Sequence, residues 1–473
     1  MNKVEKIGFL EKSAYALINV GNIPIMTLIN SFLLIYYVDV VGISPASVGT
    51  LFLITRILDG ISDPIMGFVI DHLPATKMGR FRPYIIIGAI FCVLNFLLLW
   101  FGPLLFTSIK LIVVYISYLL IGITFDIMDI PLNSMLPVMT DDLKERNSLS
   151  SLKGVAYAVG GLSIGIIAPL ILSMAATPLQ GYTIIIIAAS VIVLLFTTLG
   201  ALGIKERIEP ISEEKYKVKD IVPILTTRPV LVTFGTQLFT GISSSISGAT
   251  AIFFAMYVLD NRPEILSVIG IISLLGAFLG MFSSGYITNR LGKKVVYSAG
   301  LIIIALFTLL RLFDVTNITL FYACSFLGGI GGGLMIPLQY GIQADNVDYV
   351  EYKLNKRAEG VLASSNSFLT KAGQGIGGAL PGYILAAVGY VPNVQQTPSA
   401  LNGIILLSII LPALFMIIGA VIFGGGYNLN KQNTEEIMNE LKVKRTEKLV
   451  LSEGMNTGEF SVSNIQNVNA AEN

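Results

Sequence analysis

The residues of this sequence best suited to chemistry are charged side chains lying inside long apolar runs. The string TRILDGISDPIMG, from Thr55 to Gly67, places Arg56, Asp59 and Asp63 three and four residues apart, hence on one face of a helix. Two carboxylates one turn apart form a hard, oxygen-rich site suited to Na⁺, Li⁺ or H⁺. An ion-pair cluster with Arg56, or a helix end among lipid headgroups, is the alternative reading. A second string, TFDIMDIPLNSMLP, carries Asp126 and Asp129 on one face with Asn133 one turn beyond. Paired acceptors and an amide in that arrangement can hold the hydroxyls of a sugar. Lys371, in SSNSFLTKAGQGIGGALPG, needs carboxylates beside it, either as a tethered cation competing with a mobile one or as a donor to a solute.

These charges matter because of where they sit. The chain has 473 residues, 54% of them hydrophobic and only 13% charged, which leaves too little polar surface to cover a soluble core of this size. An ionised side chain near a bilayer centre costs at least ~2.5 kcal/mol, so it needs a partner or a wet cavity. The net charge is +1, with no strong basic face, which argues against a nucleic-acid partner. Cys92 and Cys324 lie in apolar runs and read as small buried hydrophobes. No GxxxxGK[ST] pattern occurs, and no Ser, His or metal-ligand set accompanies the membrane carboxylates. This argues against an ATP-driven pump and against an intramembrane enzyme, and no cofactor is implied beyond a coupling ion.

A helix needs about 20 apolar residues to cross the ~30 Å hydrocarbon layer. Twelve such runs can be drawn, from Ala14 to Val38 at one end of the chain to Leu401 to Phe423 at the other. A polar stretch rich in Lys and Glu, Lys205 to Asp220, separates the sixth from the seventh. The basic loop between Asp71 and Arg82 is answered by Asn289 to Lys294 in the second half. The expected fold is thus an all-α integral membrane protein with twelve transmembrane helices in two six-helix bundles, the major facilitator architecture. Its parts are residues 1–204, a cytoplasmic linker 205–228, residues 229–427 and a cytoplasmic polar tail 428–473, with a short helix expected around Glu435 to Leu449. Lys and Arg crowd the loops after the even-numbered spans, which predicts an inner-membrane protein with both termini in the cytoplasm. Trp100, near the end of the third span, is expected to anchor at the outer interface, and the glycine run Gly328 to Gly333 to allow close helix packing.

The strings VGTLFLITRILDGISDPIMG, MGRFRPYIIIG, DIMDIP, ADNVDYVEYKLNKRAEG and VGYVPNVQQTP resemble the glycoside, pentoside and hexuronide:cation symporter family, the melibiose and glucuronide permeases among them. The likeness runs from about Tyr15 to Phe423. It implies alternating access by a lone chain in the bilayer, with a sugar-type solute coupled to Na⁺, Li⁺ or H⁺. By that resemblance Asp59, Asp63 and Ser62 fall on the cation site, with Asp126 where the melibiose permease has a threonine. Asp129, Lys371, Lys153, Asn366 and Ser367 fall on the solute site. Asn22 and Ile23 replace a lysine and an aspartate that hold the galactosyl unit in the melibiose permease, and Asn133 replaces its stacking tryptophan, so an α-galactoside is not the expected solute. Asp126 adds a carboxylate beside the cation and is expected to favour H⁺. The alternatives on the same fold are a carrier of an amphiphilic or lipid-like solute, or a membrane solute sensor that signals through the tail.

Overall fold

A computed structural model describes residues 7–72, 76–140, 143–207, 218–354, 359–430, 432–441 and 443–444. The first six long helices are α1 (Phe9–Ile35), α2 (Pro45–His72), α3 (Arg82–Leu105), α4 (Lys110–Met139), α5 (Leu143–Met174) and α6 (Pro178–Gly203). A short helix, α7 (Val218–Leu225), precedes α8 (Arg228–Tyr257), α9 (Glu264–Leu291), α10 (Lys293–Leu310), α11 (Ile318–Leu354) and α12 (Glu359–Ala387). The last membrane helix runs as α13 (Pro398–Ile405), a π-helical turn at Leu406–Ile410 and α14 (Leu411–Gly426); a similar turn, Tyr36–Val40, extends α1. Among the described residues ten of these segments are long and apolar enough to cross a bilayer. The other two long helices, α2 and α12, carry Arg56, Asp59 and Lys371.

Local sequence explains several helix ends. Thr177 accepts a hydrogen bond from the Gln180 amide ahead of Pro178, and Thr397 does the same for Ala400 ahead of Pro398. In each, the cap satisfies a free N–H and the proline fits the first turn. α11 continues past its apolar part to Leu354, and this polar extension is paired. Asp345 there binds Lys293 at 2.7 Å, and Asn346 donates to Thr233 at 2.9 Å.

In the first half α1 packs on α5 and α6, α3 on α4 and α6, and α2 on α4; in the second α9 and α10 flank α11, and α8 lies between α12 and α14. The seam between halves is made by α2 on α12, α5 on α9 and α1 on α8. Bare backbone makes the closest approaches possible. A Cβ on Gly280 or Gly333 would overlap the facing carbonyls of Ile330 and Ala277, as the small-residue rule for membrane helices requires. Across the seam, a Cβ on Gly49 would lie 2.8 Å from the Ala379 carbonyl oxygen.

Trp100 departs from expectation. It is fully buried, with its ring centroid 4.7 Å from Tyr36 and 6.0 Å from both Phe96 and Tyr182. The pull of this aromatic cluster outweighs the preference of an indole for the interface. A tail helix is present over the described residues 432–441 and 443–444 and turns Leu441 inward; the rest of the expected helix, to Leu449, lies outside the described residues.

Candidate functional site

A cavity of about 670 Å³ lies between the halves and is lined from both. α1 supplies Asn22 and Asn30; α2 supplies Arg56 and Asp59; α4 supplies Asp126 and Asp129. The second half contributes Tyr340 from α11 and Asn366, Ser367 and Lys371 from α12. Residues the sequence singled out on four separate helices therefore meet at one space.

The polar groups form two linked sets. In the first, Arg56 Nη1 donates to Asp59 Oδ2 at 3.2 Å and Nη2 to Asn30 Oδ1 at 3.4 Å. Asp59 is pressed against α4 at Gly122, where any Cβ would overlap its carboxylate. Gly122 lies one turn before Asp126 on α4, so the two carboxylates come together. Lys371 Nζ stands 3.9 Å from Asp126 Oδ1 and closes this set from the opposite half. The Arg56–Asp59 ion pair foreseen as an alternative is thus present, and it is part of the cavity wall.

In the second set, both oxygens of Asp129 are taken by amides. Asn22 Nδ2 donates to Oδ1 at 2.5 Å and Asn133 Nδ2 to Oδ2 at 2.8 Å. Lys153 Nζ then donates to Asn133 Oδ1 at 2.5 Å and sits 5.6 Å from the Tyr157 ring centroid. Asn133 and Lys153 act behind Asp129 rather than on the cavity wall. Among the described residues Arg56, Lys371 and Lys153 thus stand against Asp59, Asp126 and Asp129, which offsets the cost of holding charge in the membrane. The side chains of Ser62 and Asp63 lie outside the described residues.

Sequence reasoning missed Asn30, Tyr157, Tyr340 and Gln374, all of which line the cavity. Asn30 had a signal, being polar on the same helix face as Asn22 and Thr27 in an otherwise apolar span. Tyr340 had none, since tyrosines are scattered through the chain.

Two six-helix halves around a central polar cavity define a multi-pass membrane transporter, not an enzyme. Residues 14–431 match the family described as MFS/sugar transport protein, and the chain belongs to that family. It is 28% identical over 460 residues to a putative sulfoquinovose importer of Escherichia coli (strain K12), covering 95% of this chain and 97% of that one. It is 29% identical over 409 residues to the isoprimeverose transporter of Lactiplantibacillus pentosus, covering 83% of each. Among solved structures, the nucleoside transporter NupG superposes with a TM-score of 0.59 at 13% identity, over 89% of this chain and 100% of that one. The resemblance read from the sequence motifs is borne out at the level of family and fold.

Proposed function

We propose that the protein is an inner-membrane symporter, with cytoplasmic termini, that carries a glycoside, pentoside or hexuronide together with Na⁺, Li⁺ or H⁺ by alternating access. The observation that carries this reading is that an ionic set (Arg56, Asp59, Asp126, Lys371) and an amide-braced acceptor (Asp129) share one cavity. A cation arriving at Asp59, Asp126 and the neighbouring Asp63 and Ser62 offsets their negative charge and releases Lys371. Freed from Asp126, Lys371 turns to the solute, joining Asp129, Asn366 and Ser367. Occupancy of each site then favours the other, and the coupling is reciprocal. A membrane potential of 100 mV adds about 2.3 kcal/mol for each charge carried inward. The domain parts, the linker 205–228 and the tail 428–473, serve this cycle as connector and appendage, and the transporting unit is a single chain.

Isoprimeverose and sulfoquinovose are the solutes named for two relatives, and both are sugars. The carboxylates, amides and lysine of the cavity wall suit hydroxyls, and Ile23, Met26 and Phe125 beside them offer apolar surface for the faces of a sugar ring. A thermal-shift screen of purified protein tests the reading, using glycosides and uronides each with Na⁺, with Li⁺ or at low pH. The expected result is a sugar whose stabilisation grows when one cation is present. If no sugar responds to any cation, the symport reading is wrong.

A further inference from the structure

At the end of the molecule away from the basic loops, one side chain of the first half is gripped entirely by the second. Asp39 lies in the π-helical turn that ends α1. Its Oδ2 accepts from the Tyr257 hydroxyl at 2.5 Å and its Oδ1 from the Tyr390 hydroxyl at 2.7 Å. Its backbone carbonyl accepts from Asn393 Nδ2 at 2.7 Å, and the Asn393 amide in turn donates to the Tyr257 oxygen at 3.2 Å. Tyr257 ends α8, while Tyr390 and Asn393 lie in the loop after α12. Asn393 reaches this position with φ of 60°, an uncommon conformation for a residue other than glycine.

We propose that Asp39, Tyr257, Tyr390 and Asn393 form the latch of the outer gate, which holds the two halves shut on the non-cytoplasmic side and must break in every transport cycle. The rings stay within their own half: Tyr390 packs edge-on against Phe253 of α8 at 5.5 Å and against Tyr257 at 5.3 Å. Only hydroxyls and one amide cross the seam to Asp39. Opening therefore breaks three hydrogen bonds across the seam while the contacts among Phe253, Tyr257 and Tyr390 are kept, and it returns the carboxylate to water. A hydrogen bond to a charged acceptor has a modest net worth because water replaces it, so such a latch can hold firmly and still release. The second crossing nearby, Thr50 Oγ1 to Tyr383 Oη at 2.9 Å, lies on the same end of the seam and would part in the same movement. The π-helical turn has a definite task here: it directs Asp39 to the seam while Tyr36 and Tyr37 stay tied to the carbonyls of Trp100 and Leu99 in the first half.

This inference rests on alternating access but not on the identity of solute or ion. It can be tested on the full chain in lipid nanodiscs without any ligand. Spin labels at Ser108→Cys in the first half and Val394→Cys in the second report the outer separation by pulsed electron resonance, the native Cys92 and Cys324 being buried. The latched protein should give mainly the short distance. The double variant Tyr257→Phe/Tyr390→Phe keeps both rings and should raise the long-distance population by roughly tenfold or more. Asp39→Asn, which keeps the shape and one acceptor, should give a smaller rise in the same direction. A folded, monodisperse double-Phe protein with an unchanged distribution overturns the proposal, and so does Asp39→Asn opening further than the double variant. A failure of the symport reading would leave these distances untouched, so the two ideas fall separately.

Discussion

Lys371 Nζ stands 3.9 Å from Asp126 Oδ1, joining α12 of the second half to α4 of the first. At that separation the link is Coulombic rather than a formed hydrogen bond, and a mobile cation nearby can redirect it. By the resemblance, Asp126 stands where the melibiose permease has a threonine, and in the proposed cation set it would be a third carboxylate able to carry a proton. Asp126→Thr is expected to reduce uptake driven by a pH gradient by about tenfold or more, the effect of losing ~1.4 kcal/mol of coupling, while an imposed Na⁺ gradient gains in effect. Uptake into membrane vesicles under each gradient is the measurement. Unaltered proton drive in this variant would remove Asp126 from the coupling site.

The bracing of Asp129 makes a second prediction. Lys153 donates to Asn133, whose amide holds Asp129. Asp129→Asn, which removes the charged acceptor, should weaken apparent solute affinity roughly 10- to 100-fold. Lys153→Ala should cost about tenfold, and the double variant little more than Asp129→Asn alone, because groups in one network do not add. Strictly additive losses in the apparent KM of uptake would mean that Lys153 touches the solute itself.

Much of this site was legible in the sequence because charge is expensive in a bilayer. Each of Asp59, Asp126, Asp129 and Lys371 stood out against an apolar background, and helical spacing gave their shared faces. What spacing could not give was which helices meet. Nothing in the sequence tells that Gly122 opens the wall of α4 to receive Asp59, or that Tyr340 of α11 faces the same space as Asn22 of α1. The same limit applies to Trp100. An indole near a span end reads as an anchor from its position, whereas its actual place is set by Tyr36 and Tyr182, which come from two other helices. Asp39 was hidden for another reason: it lies at a span end, where a carboxylate costs little and attracts no notice.

The packing of Asp59 against Gly122 yields a third prediction. A methyl at Gly122 would overlap Asp59 Oδ1, so the carboxylate must shift to admit it. Gly122→Ala should drive Asp59 from the site and reduce concentrative uptake by at least roughly tenfold, raising the cation concentration needed for half-maximal rate. Gly161→Ala is the matched control. Its Cβ would meet only Ile23 Cγ2, at 3.8 Å, an ordinary contact, so its uptake should stay close to wild type. Equal losses in the two variants would point to helix packing in general and not to the position of Asp59.

Trp100 is the chain's only tryptophan, and its buried Nε1 has no hydrogen-bond partner among the described residues. The ring is held by Tyr36, Phe96 and Tyr182, and the Tyr36 hydroxyl bonds to the Trp100 carbonyl at 2.7 Å, a contact any side chain at this position preserves. Trp100→Phe therefore sacrifices no side-chain hydrogen bond and relieves an unsatisfied donor, which offsets the smaller ring. Its thermal midpoint should stay within a few degrees of wild type. Trp100→Ala empties the cluster and should cost about 3–5 kcal/mol, with a clear fall in the midpoint. Circular dichroism melts in detergent check both without relying on tryptophan emission. An interfacial anchor would behave differently. Its stabilising contact would be with lipid, so both substitutions would be mild in detergent and would separate only in a bilayer.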